Sequence, residues 1–424
     1  MTGAQFDKKN AFLFLVGLFS MTQIRLIGAF PLCEFVTVPI AFLLLSKISR
    51  YFTNKRFRNI MILGILWFGG AYVSDVYNNS QMVDTLKGLG TIALFLANLI
   101  FSFEALKDNI YRIVWFLAGA FLSSILQLFI FTSITLQQKM IEDGLVGVWD
   151  IWGVYFIAPI ILIFSFCYYA SHRKLVITII FLYAIYSIFN MSRNQFLIYS
   201  LVTLLLVYLG PVKSYKEGFI KQRFLQRRFL RYFLLILLGL IVVKQSYEYL
   251  AEQNYLGEKA YRKYQQQQID SKLGLASGRK EVWMGLYAVK DSPILGFGSF
   301  AQDKNNYALN FLQKFDPDNL AAMNSFRYRH SEIPAHSHII GAWVWHGLGG
   351  LIFWIYIIYL VLLFLWKYSL KDPALIAFSF LMCFIFLWNI FFSPFGDRIG
   401  IAMKIAFLIL YMNKFDKQRL SFKY

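Results

Sequence analysis

Residues 338–364 read HIIGAWVWHGLGGLIFWIYIIYLVLLF, an apolar run long enough to cross the hydrocarbon core of a bilayer as one helix. A spanning helix needs about 20 apolar residues at roughly 1.5 Å rise each, and in lipid it satisfies every backbone group internally. This run is one of about twelve, which fall approximately at 10–27, 29–46, 58–76, 84–104, 111–133, 151–170, 174–191, 194–210, 230–248, 338–364, 374–392 and 398–413. The chain of 424 residues is 58% hydrophobic, 19% aromatic and only 15% charged, with mean hydropathy +0.53. That leaves too little polar surface to cover a soluble globule of this length. The expected fold is all-α, a polytopic integral membrane protein with about 12 transmembrane helices.

Working outward from that run, the organisation reads as four parts: an N-terminal transmembrane bundle over 1–248 with about nine spans, a large polar loop over 249–335, C-terminal transmembrane helices over 336–413 with about three spans, and a basic tail over 414–424. The first two spans are crowded, because Arg25 and Pro31 leave little room for a loop between them. Lys8-Lys9 followed by an apolar stretch from Ala11 looks like a signal peptide, but no small-x-small cleavage site follows, so an uncleaved first span is expected. Tyr, Trp and Leu recur at helical spacing between Arg279 and Val289, and Gln265 to Gln268 lie in a polar, helix-favouring run, so the loop is expected to be partly helical.

Charge sets the orientation. The net charge of +19 sits in short basic runs between apolar stretches, which fits loops facing anionic lipid and gives nucleic acid no support. Lys47 to Arg58, His172-Arg173-Lys174 and Lys213 to Arg231, with seven basic residues in the last, alternate with polar or acidic connections such as Ser74 to Asp84 and Gln137 to Asp150. By the positive-inside rule both termini lie in the cytoplasm and the 249–335 loop on the far side, periplasmic in a two-membrane bacterium. Cys33, Cys167 and Cys383 lie far apart in or beside apolar runs, without the spacing of a disulfide framework or a zinc site.

Candidate chemistry collects at the outer face. His336 and His338 stand where the loop re-enters the membrane, and histidine is the side chain best suited to take a proton near neutral pH. The competing reading is an interfacial histidine that caps the helix or bonds a carbonyl; spaced at i and i+2, at most one can point into a given site. Arg193 and Arg279 fall on the same side, and guanidinium groups bind phosphate oxygens in pairs, although either could equally be an interfacial or solvated charge. Arg398 opens the last span beside Asp397, where a helix cap and an interfacial anchor account for the pair while leaving Arg398 eligible for the site. Glu281, Asp291 and Glu332 could serve as base or orienting group, but no carboxylate pair has diagnostic spacing. There is no DxD, HExxH, GxSxG or phosphate-cradling glycine loop, so no metal and no cofactor is expected.

Three patches together resemble the bacterial O-antigen polymerase and O-antigen ligase superfamily of membrane glycosyltransferases. The first is Ser192-Arg193. The second is Ser277-Gly278-Arg279 with Trp283, then Ser292-Pro293-Ile294-Leu295-Gly296-Phe297-Gly298. The third, and most specific, is His336 followed eleven residues later by Gly347 and then Gly350, with Trp343 between. Many members carry Asn directly after the histidine, where this chain has Ser337; the spacing assigns the family position to His336, and a single gap would move it to His338.

The resemblance implies transfer of a glycan from a polyprenyl (undecaprenyl) diphosphate donor at the periplasmic face of the inner membrane, without nucleotide sugar or metal. In that reading His336 is the catalytic base for the acceptor hydroxyl. Arg193 and Arg279 hold the diphosphate, with His338 and Arg398 as further substrate-binding candidates. The implied partners are the lipid-linked glycan, membrane lipid, and a chain-length regulator or other assembly proteins. The Ala-His-Ser-x-Ile run with Ala342-Trp343 is more similar to polymerases of O-antigen or capsule than to ligases. A ligase acting on lipid A core is the alternative, and a lipid-linked oligosaccharide flippase, which needs mid-membrane charges such as Lys87 and Lys404, is the further one.

Overall fold

The computed structural model describes residues 7–26, 28–129, 157–189, 193–209, 245, 249–255, 261, 280–315 and 332–421. The expected span at 230–248, nearly all of it, and the Gln265 to Gln268 run lie outside these residues. The described chain is almost entirely helical: α1 (Lys8–Leu18), α2 (Glu34–Leu44), α3 (Lys55–Tyr77), α4 (Met82–Leu106), α5 (Ile113–Phe129), α6 (Ala158–Tyr168), α7 (Arg173–Phe189), α8 (Arg193–Tyr208), α9 (Lys280–Val289), α10 (Tyr307–Phe315), α11 (His338–Lys367), α12 (Ile376–Phe392) and α13 (Arg398–Ser421). Four helices, Lys55–Tyr77, Met82–Leu106, His338–Lys367 and Pro373–Phe392 with its leading turn, are long and apolar enough to cross a membrane.

The N-terminal region departs from the expectation of two spans at 10–27 and 29–46. Two helices of 11 residues each flank an antiparallel hairpin, β1 (Gln23–Leu26) on β2 (Gly28–Pro31), in register Gln23↔Pro31 to Leu26↔Gly28. Eleven residues rise only about 16 Å, roughly half of the hydrocarbon thickness. Apart from Gln23 and Arg25 the hairpin residues are apolar or small, so they blend into the flanking runs in a hydropathy reading. Pro31 lacks the amide hydrogen that a continuing helix would need and closes the second strand. α1 lies directly on α5: a Cβ on Gly17 would stand 2.1 Å from the Phe116 carbonyl oxygen, and one on Gly119 2.0 Å from that of Phe14. Small residues at such crossings let backbones meet where lipid offers no hydrophobic drive for association.

The chain divides into two compact units, one of 1–139, 275–371 and 382–424, the other of 140–274 and 372–381. In the first, α3 packs along α11 while α4 packs along α13 and carries α2 on its flank. Trp67, Phe95, Phe353 and Trp354 are fully or almost fully buried and meet edge-on or tilted, with Phe395 against three of them. Ile62, Ile65, Leu66 and Val73 on α3, with Ile352, Ile355, Tyr359 and Leu362 on α11, remain exposed. Helices apolar both toward their neighbours and away from them fit a lipid surround. In the second unit α7 packs on α8 and α6, with Tyr183 wedged against Tyr199 and hydrogen-bonded to Gln195.

Candidate functional site

α11 begins within the hydrophobic run but is not continuous. At Gly347 the backbone takes φ 64° and ψ −147°, a conformation essentially confined to glycine, and the helix kinks there. The loop Ser292 to Gly298 fills the opening. Leu348 N–H donates to the Ile294 carbonyl at 2.9 Å, Phe297 N–H to Val344 at 2.8 Å, and Gly298 N–H to Trp345 at 3.0 Å. Trp343 Nε1–H bonds the Pro293 carbonyl at 2.8 Å, and Ser292 Oγ–H bonds that of Gly296 at 2.7 Å. A Cβ on Gly347 would lie 1.9 Å from the Ile294 oxygen, so side chains are excluded by contact as well as by dihedral. The second and third patches of the sequence thus touch through their backbones, and the glycines at 296 and 347 form that joint.

A buried polar chain locks the joint to α3. Trp67 Nε1–H donates to His346 Nδ1 at 3.0 Å, which leaves the hydrogen of the neutral ring on Nε2, 3.1 Å from Ser299 Oγ. Ser299 Oγ–H then donates to Asp75 Oδ2 at 2.9 Å, while Ser299 N–H donates to Oδ1 at 2.5 Å. Ser74 Oγ joins by donating to the Trp345 carbonyl at 2.9 Å and accepting Gly298 N–H at 3.1 Å. Hydrogens run from Trp67 through His346 and Ser299 to the carboxylate, so the serine sits between histidine and acid. A nucleophilic triad needs the histidine in the middle. This is a satisfied structural network.

The same loop positions His336. Ile333 N–H bonds the Ala301 carbonyl at 2.8 Å, and Gln302 forms an antiparallel bridge with Glu332. α9 presents Gly285 to the Pro334 carbonyl, where a Cβ would come within 2.8 Å. Ser337 is the N-cap of α11: its Oγ accepts Ile340 N–H at 3.2 Å and donates to the Ile390 carbonyl at 2.9 Å. Asn and Ser are both preferred N-caps, which gives a physical reason for either residue to follow the histidine.

The two histidines receive opposite environments. His336 is exposed, just before the cap. His338 is 3% exposed; its Nδ1–H donates to the Ser393 carbonyl at 2.7 Å, and its Nε2 has no hydrogen-bond partner among the described residues. Arg398 is also buried and is engaged by Glu34 through a paired contact, Nε to Oε1 at 2.9 Å and Nη2 to Oε2 at 2.7 Å. Asn98 Nδ2–H bonds Glu34 Oε1 at 2.8 Å and Thr37 Oγ–H bonds Asn98, completing a buried cluster. Asp397 Oδ1 accepts Gly400 N–H at 3.0 Å as a cap of α13.

Arg193 is the first residue of α8, and Arg279 lies outside the described residues, immediately before α9. Lys87 pairs with Asp84 at 3.2 Å in the first turns of α4. Asp291 accepts a bond from Tyr307 at 2.7 Å. Burial pushes the Tyr307 hydroxyl up to about 12, with the Asp291 interaction adding to it. Glu281 stands in the first turn of α9. Among the described residues no three His, Cys, Asp or Glu side chains converge as a metal site would require.

The sequence reading passed over Asp75, Ser299, Trp67 and Glu34. Two of these left a signal: Asp75 and Glu34 are carboxylates inside apolar runs, a placement that demands a partner. No protein-family model matches the chain, and no curated protein matches it significantly.

Proposed function

We propose that the protein is a membrane glycosyltransferase that polymerises polyprenyl-diphosphate-linked oligosaccharide repeat units at the periplasmic face of a bacterial inner membrane. The reading takes the four membrane-length helices as part of a twelve-span topology, with 249–335 as the outer loop. The observation that carries it is His336: an exposed imidazole held on a short bridge between the loop joint and the capped start of α11. A base that meets a sugar hydroxyl must be reachable and firmly aimed, and its pKa must lie near the working pH.

In the proposed step His336 takes the proton of the acceptor hydroxyl as that oxygen forms a bond to the anomeric carbon from the face opposite the leaving group. The bond from carbon to the diphosphate oxygen breaks, the diphosphate leaves with the electron pair, and the anomeric centre inverts. Arg193 and Arg279 supply charge to the leaving group. A ligase transferring the finished glycan to lipid A core would use the same chemistry. The glycan profile of a deletion strain complemented with wild type or His336→Ala separates the readings. Core carrying one repeat unit marks a lost polymerase, and naked core with accumulated lipid-linked polymer a lost ligase. Repeat units trapped on the cytoplasmic side would mark a flippase and sink the enzyme reading, as would normal elongation by His336→Ala.

A further inference from the structure

The kink at Gly347 folds α11 back on itself. In a continuous helix, residues eight apart are separated by about 12 Å along the axis and residues sixteen apart by about 24 Å. Here a Cβ on Gly350 would stand 2.5 Å from the Ala342 carbonyl oxygen, and the rings of His338 and Trp354 lie 5.0 Å apart. Residues 338–346 therefore run antiparallel to 348–356, with the turn at Gly347 pinned by the Ser292 to Gly298 loop.

The turn of this hairpin lies near the outer ends of its neighbours, and the open end lies deep. The Trp345 carbonyl accepts the Ser74 hydroxyl, three residues before α3 ends at Tyr77. His338 instead meets Trp354 and Phe395, which pack on Trp67, with Phe395 also against Phe95. Trp67 is the thirteenth of the 23 residues of α3, and Phe95 the fourteenth of the 25 of α4. His338 thus stands at mid-length of two helices long and apolar enough to cross a membrane. The connecting chain covers the descent. Ile333 is bonded to Ala301, and Ser299 to Asp75, eight residues and about 12 Å beyond Trp67 on α3. The five steps from Ile333 to His338 reach up to about 17 Å when extended. Residues 334–337, at the bottom, are not helical; Pro334 and Ala335 are half-buried and His336 is exposed. α9 covers one side, with Gly285 against the Pro334 carbonyl. Irregular backbone at hydrocarbon depth is stable only where protein buries it or water reaches it, and an exposed imidazole at that depth requires water.

We propose that residues 333–347 form a re-entrant segment, which descends from the outer loop to mid-membrane and returns outward as a half-helix, and that a water-filled inlet follows it down to His336. The group the inlet admits is a carbohydrate hydroxyl arriving from the outer side, a point that rests on the glycosyl-transfer reading above. The acceptor is then deprotonated inside the membrane profile, away from bulk water, and not at the surface of the loop.

The test is spin labelling of the full chain in phosphatidylcholine–phosphatidylglycerol nanodiscs, on a Cys167→Ser background that leaves only the buried Cys33 and Cys383. Labels go on His336→Cys, on Ala335→Cys as a second inlet position, on Lys304→Cys in the exposed outer loop, and on Ile65→Cys, exposed on α3 two residues from Trp67. A water-soluble nickel complex is expected to relax the His336 and Ala335 labels at least about threefold more than the Ile65 label, and less than the Lys304 label. Depth is read from double labels that pair His336→Cys with Leu348→Cys or Ile355→Cys, two exposed positions seven residues apart on one face of α11. The hairpin places the His336 label nearer Ile355; a straight helix would place it nearer Leu348. Inlet labels as dry as Ile65 overturn the inlet, the shorter distance to Leu348 overturns the re-entrant segment, and a water-exposed Ile65 label overturns the membrane frame of both. None of these readouts involves glycan. A wet, deep His336 in a protein that transfers no glycan keeps the inlet and removes the glycosyl-transfer reading. Transfer abolished by His336→Ala in a protein whose inlet labels are dry does the reverse.

Discussion

Two stretches of α11, eight residues apart, make the most instructive contrast in the molecule. At His346 both ring nitrogens are committed, to Trp67 and Ser299, and the chain of bonds ends on Asp75. At His338 one nitrogen is committed and the other has no partner among the described residues, and His336 beyond the cap is exposed to solvent. Polar groups whose bonds are closed serve architecture, and those left open are available for chemistry. Sequence spacing alone does not distinguish them, because all three are histidines at one end of one hydrophobic run.

The contrast breaks most completely at the joint. Gly347→Ala places a Cβ 1.9 Å from a carbonyl oxygen in a backbone region closed to L-residues, so the loop Ser292 to Gly298 must separate from α11. A loss of more than about 3 kcal/mol is expected, read as absence of monodisperse protein in detergent or a collapsed melting temperature. Next is the buried ion pair: Glu34→Gln removes the negative charge that faces the buried Arg398 guanidinium, at a cost of about 3–5 kcal/mol, and adding Arg398→Met should restore much of it. Thermal unfolding of the single and double variants checks this. Asp75→Asn disturbs the closed network less, by about 1–3 kcal/mol, and leaves His336 exposed; a lowered melting temperature with residual glycan transfer is the expected pattern.

The smallest effect belongs to the exposed tether between α1 and the turn before α5. Lys9, by its hydrogen bond to Asp108, holds that carboxyl below its ordinary range. A depressed carboxylate contributes stability above its unfolded range and loses it as pH falls through the folded value, so acid should loosen this contact. Lys9→Ala should cost only about 0.2–1 kcal/mol, less in high salt, measured as a small shift in melting temperature at neutral pH that vanishes in acid.

Much of this architecture was legible in the chain. The runs 58–76, 84–104, 338–364 and 374–392 became helices of membrane length because an uninterrupted apolar stretch has one low-energy solution in lipid. The hairpin at Gln23–Pro31 was hidden because its apolar residues, Ile24, Leu26 and Phe30 among them, continue the flanking apolar runs, and short apolar strands and helices look alike to a hydropathy scale. Glu34 pairs with a residue 364 positions away, a relation that no local pattern carries. Within the site, the interval from His336 to Gly347 was visible, but its physical content was not: the glycine marks a kink filled by another loop, and Ser337 marks a cap. Arg398 looked like a phosphate ligand because guanidinium chemistry is the same whether it meets substrate or a buried glutamate.

The most direct test of the central claim is glycan transfer by the purified full chain from an undecaprenyl-diphosphate-linked repeat unit, comparing wild type with His336→Ala at matched melting temperature. The account predicts polymer from the wild type and a loss of at least about a hundredfold in the variant, with donor binding retained. Transfer at an undiminished rate in His336→Ala would contradict it.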